Sequence, residues 1–164
     1  MPVTDVSKDL DALTMTVTAE FDAGAERIWE MWSDPRQLER WWGPPSHPAT
    51  FVDHEFAPGG RAAYFMTGPE GEKYNGWWKV EEVEPPGRLR FEDGFADDQG
   101  NPSAAMPTSV ATVTITEAGG ATTMSIESRF SSRESMEQVI GMQMEQGVVE
   151  ALGQIDALLV GERV

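Results

Sequence analysis

Between Ile28 and Pro45 the chain places Trp29, Trp32, Trp41 and Trp42 on two helical patterns, each too short to be stable alone. The first runs over Ala25–Ser33, where Ile28, Trp29 and Trp32 recur at i, i+1 and i+4 and make one apolar face. The second opens at Asp34-Pro35, with Asp34 in the N-cap position and Pro35 at the first helical position. It carries Leu38, Trp41 and Trp42 and stops at Gly43-Pro44-Pro45. So much aromatic surface on such short helices needs a large partner, and the rest of the sequence must supply it.

That partner reads as a sheet. Over Leu13–Phe21, Leu13, Met15, Val17, Ala19 and Phe21 alternate with Thr and Glu, the pattern of a half-buried strand. Six further strands are predicted at Thr50–Phe56, Arg61–Met66, Lys73–Val83, Arg88–Phe95, Thr108–Glu117 and Ala121–Arg129. Pro-Gly-Gly, Gly-Pro-Glu-Gly, Pro-Pro-Gly and Ala-Gly-Gly turns separate most of them, and residues 96–107 read as a longer loop. Short turns predict an antiparallel meander.

One long helix closes the chain, over about residues 132–160, with Ser131 or Ser132 as cap and Glu134 in the first turn. Met136, Ile140, Met144, Val148, Ala151 or Leu152, Ile155 and Leu159 recur every three or four residues along about 40 Å. No other element is long enough to cover a curved seven-stranded sheet. Gly141, Gly147 and Gly153 interrupt it, and each is expected to admit a close neighbour, either the sheet or a ligand. Residues 1–9 are polar and read as a flexible tail, leaving 10–164 as a single domain.

Composition narrows the function. Asp and Glu total 28 against 12 Lys and Arg, a formal net charge of −16. Such a surface repels phosphate backbones and anionic lipid, so neither nucleic acid nor membrane is an expected partner. Absence of cysteine excludes disulfides, thiolate metal sites and cysteine nucleophiles. The N-terminal segment has no basic region followed by an apolar run, and no stretch has the length of a membrane helix. A cytoplasmic protein is expected, without metal or cofactor. Serine-nucleophile, phosphate-loop and dinucleotide motifs are missing. His47 falls in a proline-rich loop, and His54 lies on the strand face opposite Asp53 and Glu55.

The strand ending in Phe21-Asp22-Ala23, the Ile28-Trp29 helix, Asp34-Pro35, Trp41-Trp42-Gly43-Pro44, Phe56-Ala57-Pro58-Gly59-Gly60, the Gly71 hairpin and Val83–Leu89 together resemble one known family. It is the family named after the activator of Hsp90 ATPase, within the START/Bet v 1-like (SRPBCC) superfamily, and the likeness covers about residues 12–160. The resemblance implies an α+β helix-grip fold, a curved antiparallel sheet wrapped around the C-terminal helix with a cavity between. Superfamily members bind apolar molecules or catalyse polyketide cyclisation. The namesake stimulates a chaperone ATPase, which implies a stress-response setting. The aromatic often found after the glycine of the last helix is here Val148.

Three functions are therefore weighed. The first is binding of an apolar small molecule, as carrier or sensor, against Trp32, Trp41, Tyr64, Phe65, Trp78, Phe91, Met124, Ile140, Met144 and Val148. Phe65 and Tyr64 face opposite ways on their strand, and the sequence does not say which looks inward. The second is a co-chaperone-like or regulatory interaction with a protein partner. The third is a cyclase-type enzyme using His54 or Tyr64 as acid or base. Catalysis would need a carboxylate inside the apolar interior, and none is located by the sequence. Trp77, opposed to Trp78, is a candidate subunit contact in a monomer-or-homodimer protein.

Overall fold

A computed structural model of the chain describes residues 3–97, 99, 101–103, 108–141 and 144–161, with the backbone alone at 144, 160 and 161. Eight strands form one antiparallel sheet: β1 (Val3–Asp9), β2 (Thr14–Phe21), β3 (Ala49–His54), β4 (Arg61–Thr67), β5 (Lys73–Glu84), β6 (Arg88–Phe95), β7 (Ser109–Ala118) and β8 (Ala121–Phe130). Their spatial order is β1-β2-β8-β7-β6-β5-β4-β3. Strands β3 to β8 are the expected meander. The chain between β2 and β3 carries α1 (Ala25–Ser33) and α2 (Pro35–Leu38) across the inner face to the far edge of the sheet. Two helical stretches follow β8, α3 (Arg133–Gly141) and α4 (Met144–Gly161), where a single helix is predicted. Residues 142 and 143 between them lie outside the described residues, as does much of the predicted 96–107 loop.

The helix-grip arrangement is present with one strand more than expected. Val3–Asp9 is an edge strand on β2 and not a tail. A bulge between Val3 and Asp5 hid it from the sequence pattern. Val3 and Val6, three residues apart, lie opposite Ala19 and Val17, so both half-buried valines reach one face although their spacing is odd.

Local chemistry builds the helices as predicted, with one addition. The Asp34 carboxylate accepts the Arg36 amide at 2.9 Å, with Pro35 at the first helical position. Ser132 caps α3 through the Ser135 amide at 3.0 Å. Helix α1 has Gly24 at its N-cap and no cap of its own. Its cap comes from Glu117 on β7, whose carboxylate accepts the Ala25 amide at 2.6 Å. At its other end α4 grips the α2 region: Gln154 donates to the Gly43 carbonyl at 2.6 Å.

The sheet does not approach the three helix glycines closely. A methyl group built on Gly141, Gly147 or Gly153 would meet no atom within 4 Å, so none marks a close backbone approach.

Candidate functional site

Trp32 and Trp41 are fully buried, and both indole N–H groups are used. Trp32 donates to the Met124 sulfur at 3.2 Å and Trp41 to the Met31 carbonyl at 2.9 Å. Trp32, Trp41 and Met124, expected to line a cavity, thus form a closed packing unit. Trp42, next in sequence, is different. It is half-buried and sits edge-on to Trp32, Trp41, Tyr64, Trp78 and Phe91, with ring centroids 4.9 to 6.3 Å away. Trp78 stacks on Phe91 at 4.1 Å. The indole nitrogens of Trp42 and Trp78 are both buried, and both N–H groups are directed at the Tyr64 hydroxyl oxygen.

Between these rings lies a polar pair. Tyr64 on β4 donates its hydroxyl proton to Asp93 on β6 at 3.2 Å. The two strands are not neighbours, since β5 runs between them. Tyr64 spans it by lying over Gly76, where a Cβ would run into the phenol ring. Asp93 continues the inward parity of Leu89 and Phe91 and pairs across to Trp78. Burial pushes the Asp93 carboxyl up to about 7, against the pull of hydrogen bonds from Tyr64 and the Gly94 amide. Burial, and then the Asp93 charge, push the Tyr64 hydroxyl well above its ordinary range. Tyr64 therefore stays protonated while Asp93 titrates near neutral pH.

His54 does face inward, contacting the rings of Phe51, Phe56 and Trp78. A bulge between Phe51 and Asp53 makes this possible, because Phe51 and His54 then share the inner face at a spacing of three. His54 Nε2 faces the Trp32 carbonyl at 3.0 Å. A carbonyl only accepts, so the proton sits on Nε2 and the buried Nδ1 carries a lone pair without a partner. Desolvation holds the imidazole below its usual range, and it is neutral at pH 7.

These features sit on a fold met before. The profile of the activator of Hsp90 ATPase homolog 1-like protein family matches residues 22–160. The chain belongs to this family. A crystal structure of a Mycobacterium smegmatis protein is 52% identical, covers 96% of this chain and 97% of its own, and superposes with a TM-score of 0.90. A solution structure of an Arthrobacter aurescens protein is 50% identical over 97% of this chain and 92% of its own, with a TM-score of 0.94. The crystal structure of a Silicibacter pomeroyi protein that carries the family's name is 25% identical over 91% and 99% of the two chains, with a TM-score of 0.74. No curated protein matches the sequence.

Within this family member, the remaining expected positions divide by face. Ile140 and Val148 are half-buried against the core, on the helices that cover the sheet. The side chain of Met144 lies outside the described residues. Phe65, expected in the cavity beside Tyr64, points to the outer face instead, where Lys73 lies 4.6 Å from its ring. The reason is strand alternation: Ala62, Tyr64 and Met66 take the inner side. Trp77 is also on the outer face. It lies flat over Gly94, where a Cβ would stand 2.7 Å from the indole, and donates to the Phe95 carbonyl at 3.0 Å, so its ring is used in local packing. Further along that face, Arg88, Arg90, Thr112, Glu127 and Arg129 line a shallow recess of about 400 Å³. No helix among the described residues is long and apolar enough to cross a membrane, and no three acidic or histidine side chains among them converge to hold a metal.

Sequence reasoning missed Trp42 and Asp93. Asp93 was legible, because period-two alternation from Leu89 and Phe91 reaches it directly. Trp42 was not, because the hub position depends on how α2 docks on the sheet.

Proposed function

We propose that the domain binds an apolar small molecule between the inner face of the sheet and the C-terminal helices, as a carrier or sensor. One observation carries this reading: a polar pair, Tyr64 and Asp93, stands in an otherwise aromatic interior beside Trp42, Trp78 and Phe91. Apolar pockets with a few convergent polar groups are the usual form of a small-molecule site. Half-buried Trp42, Met66, Asp93, Ile140 and Val148 supply an incompletely covered inner wall.

Native mass spectrometry of the purified protein, followed by denaturing extraction, tests the reading. An apolar molecule bound at near-stoichiometric ratio is expected. A protein that is empty, and whose tryptophan emission no apolar probe alters, would overturn it. The protein-interaction alternative predicts the opposite pattern: an empty interior and salt-sensitive capture of one defined partner.

A cyclase-type enzyme is favoured by one specific feature, the Tyr64–Asp93 pair, since a carboxyl titrating near 7 suits proton transfer at neutral pH. On that reading, Tyr64→Phe retains binding and abolishes turnover of the extracted molecule. Unchanged turnover would remove it.

A further inference from the structure

We infer that Arg36 and Glu39 close the free edge of β3 against pairing with a second copy of this chain. Strand β3 ends the sheet, and only β4 pairs with it. An edge strand offers a row of backbone donors and acceptors to any further strand, and proteins guard such edges. At the opposite edge the guards lie in the strand itself, since β1 carries Asp5, Lys8 and Asp9. Strand β3 reads Ala49-Thr50-Phe51-Val52-Asp53-His54, without lysine, arginine or proline, and its Val52 is 65% exposed. The bulge between Phe51 and Asp53 makes the edge irregular on the His54 side. The regular side ends at Phe51, whose backbone is already taken.

The Phe51 amide donates to the Glu39 carboxylate at 2.9 Å, and the Phe51 carbonyl accepts from the Arg36 guanidinium at 3.0 Å. In an antiparallel sheet, a residue facing Phe51 on a further strand would exchange the same two bonds. Arg36 stands in for the N–H of that residue and Glu39 for its C=O. Both bonds are charge-assisted, which makes them stronger than the neutral pair they replace. The two side chains also pair with each other at 3.4 Å, so donor and acceptor are held as a unit. Their own element anchors the unit: Leu38 is fully buried, and Asp34 caps the helix. A second copy cannot bond to the Phe51 backbone while this clasp is in place.

The test removes the clasp with Arg36→Ala and Glu39→Ala together. Mass is followed by size-exclusion chromatography with light scattering, at about 0.3 M salt to screen the repulsion between two chains of net charge −16. The unaltered protein should keep one mass from about 10 to about 500 μM, and the double variant should add a dimer at the upper end. In dilute solution, exchange of the Phe51 amide should be at least about tenfold faster in the double variant. Val52→Lys, added to the double variant, puts a charge on the edge and should restore the single mass. A folded double variant with no dimer, or with unchanged exchange at Phe51, overturns the inference. So does a dimer that Val52→Lys leaves intact, because association then uses another surface. Self-association of the unaltered protein that Val52→Lys abolishes overturns it too, since the edge is then open. If the double variant does not fold, Arg36→Met removes the donor, keeps an apolar stem and is read by the same criteria.

Discussion

Asp93 sets the pH response of the fold. Its carboxyl titrates near 7 when folded and near its ordinary value of 3.8 when unfolded. Between those values the folded protein keeps a proton that the unfolded chain releases, so stability falls as pH rises through that window and levels off above it. The upper bound is about 4 kcal/mol, and partial exposure of Asp93 brings the expected loss nearer ~2 kcal/mol. Asp93→Asn should flatten denaturant midpoints between pH 4 and 8, and a slope equal to that of the unaltered protein would count against the buried carboxyl. His54 works the other way: its depressed proton affinity contributes stability above about 6.5 that is lost as the ring charges in acid. Gly76 is the second residue to test. Alanine there drives a methyl into the Tyr64 ring, so Gly76→Ala should cost about 1–3 kcal/mol. Tyr64→Ala introduced together with it should relieve most of the clash, and simple additivity of the two changes would refute the contact.

At the scale of elements, two helical positions make predictions of opposite sign. Helix α1 borrows its cap from Glu117, 92 residues away in sequence. Glu117→Ala should cost about 1 kcal/mol, close to what loss of a local cap costs, read as a lower urea midpoint. In α4, Gly153 is exposed and faces open space. Gly153→Ala should therefore stabilise by up to about 1 kcal/mol, a rise of roughly 2–4 °C in Tm for a chain of this size; a fall would mean that the glycine has a packing role after all. Strand positions teach a different lesson. Most inner-facing residues were legible, because Met15, Val17, Ala19 and Phe21 or Ala111, Val113 and Ile115 keep strict alternation. Reading failed where bulges shift the parity. Val3 and Val6, Phe51 and His54, and Val80 and Val83 each share the inner face at a spacing of three. A bulge is a property of pairing with the next strand, and no local pattern announces it.

For the whole molecule, β1 is the element whose role the sequence concealed. It covers one edge of β2 and is tied to α4 by the Lys8–Glu145 ion pair at 2.6 Å. A chain truncated to begin at Leu10 should have a lower Tm and a concentration-dependent light-scattering signal, since removal bares the unpaired edge of β2. A truncation with unchanged Tm would restore the reading of residues 1–9 as a tail. The acidic balance, the strand-helix order from β2 onward, the caps at Asp34 and Ser132 and the family were determined by the sequence alone, because each depends on residues close together in the chain or on a motif that survives as a string. The site was decided by tertiary structure. Trp42 comes from the turn after α2, Tyr64 from β4, Trp78 from β5 and Asp93 from β6, and only the docking of this segment against the sheet brings their polar atoms together. Packing also decided which acceptor each donor finds: of adjacent Trp41 and Trp42, one meets the Met31 carbonyl and the other is directed at the Tyr64 hydroxyl, because their rings leave the turn after α2 in different directions into a shared core.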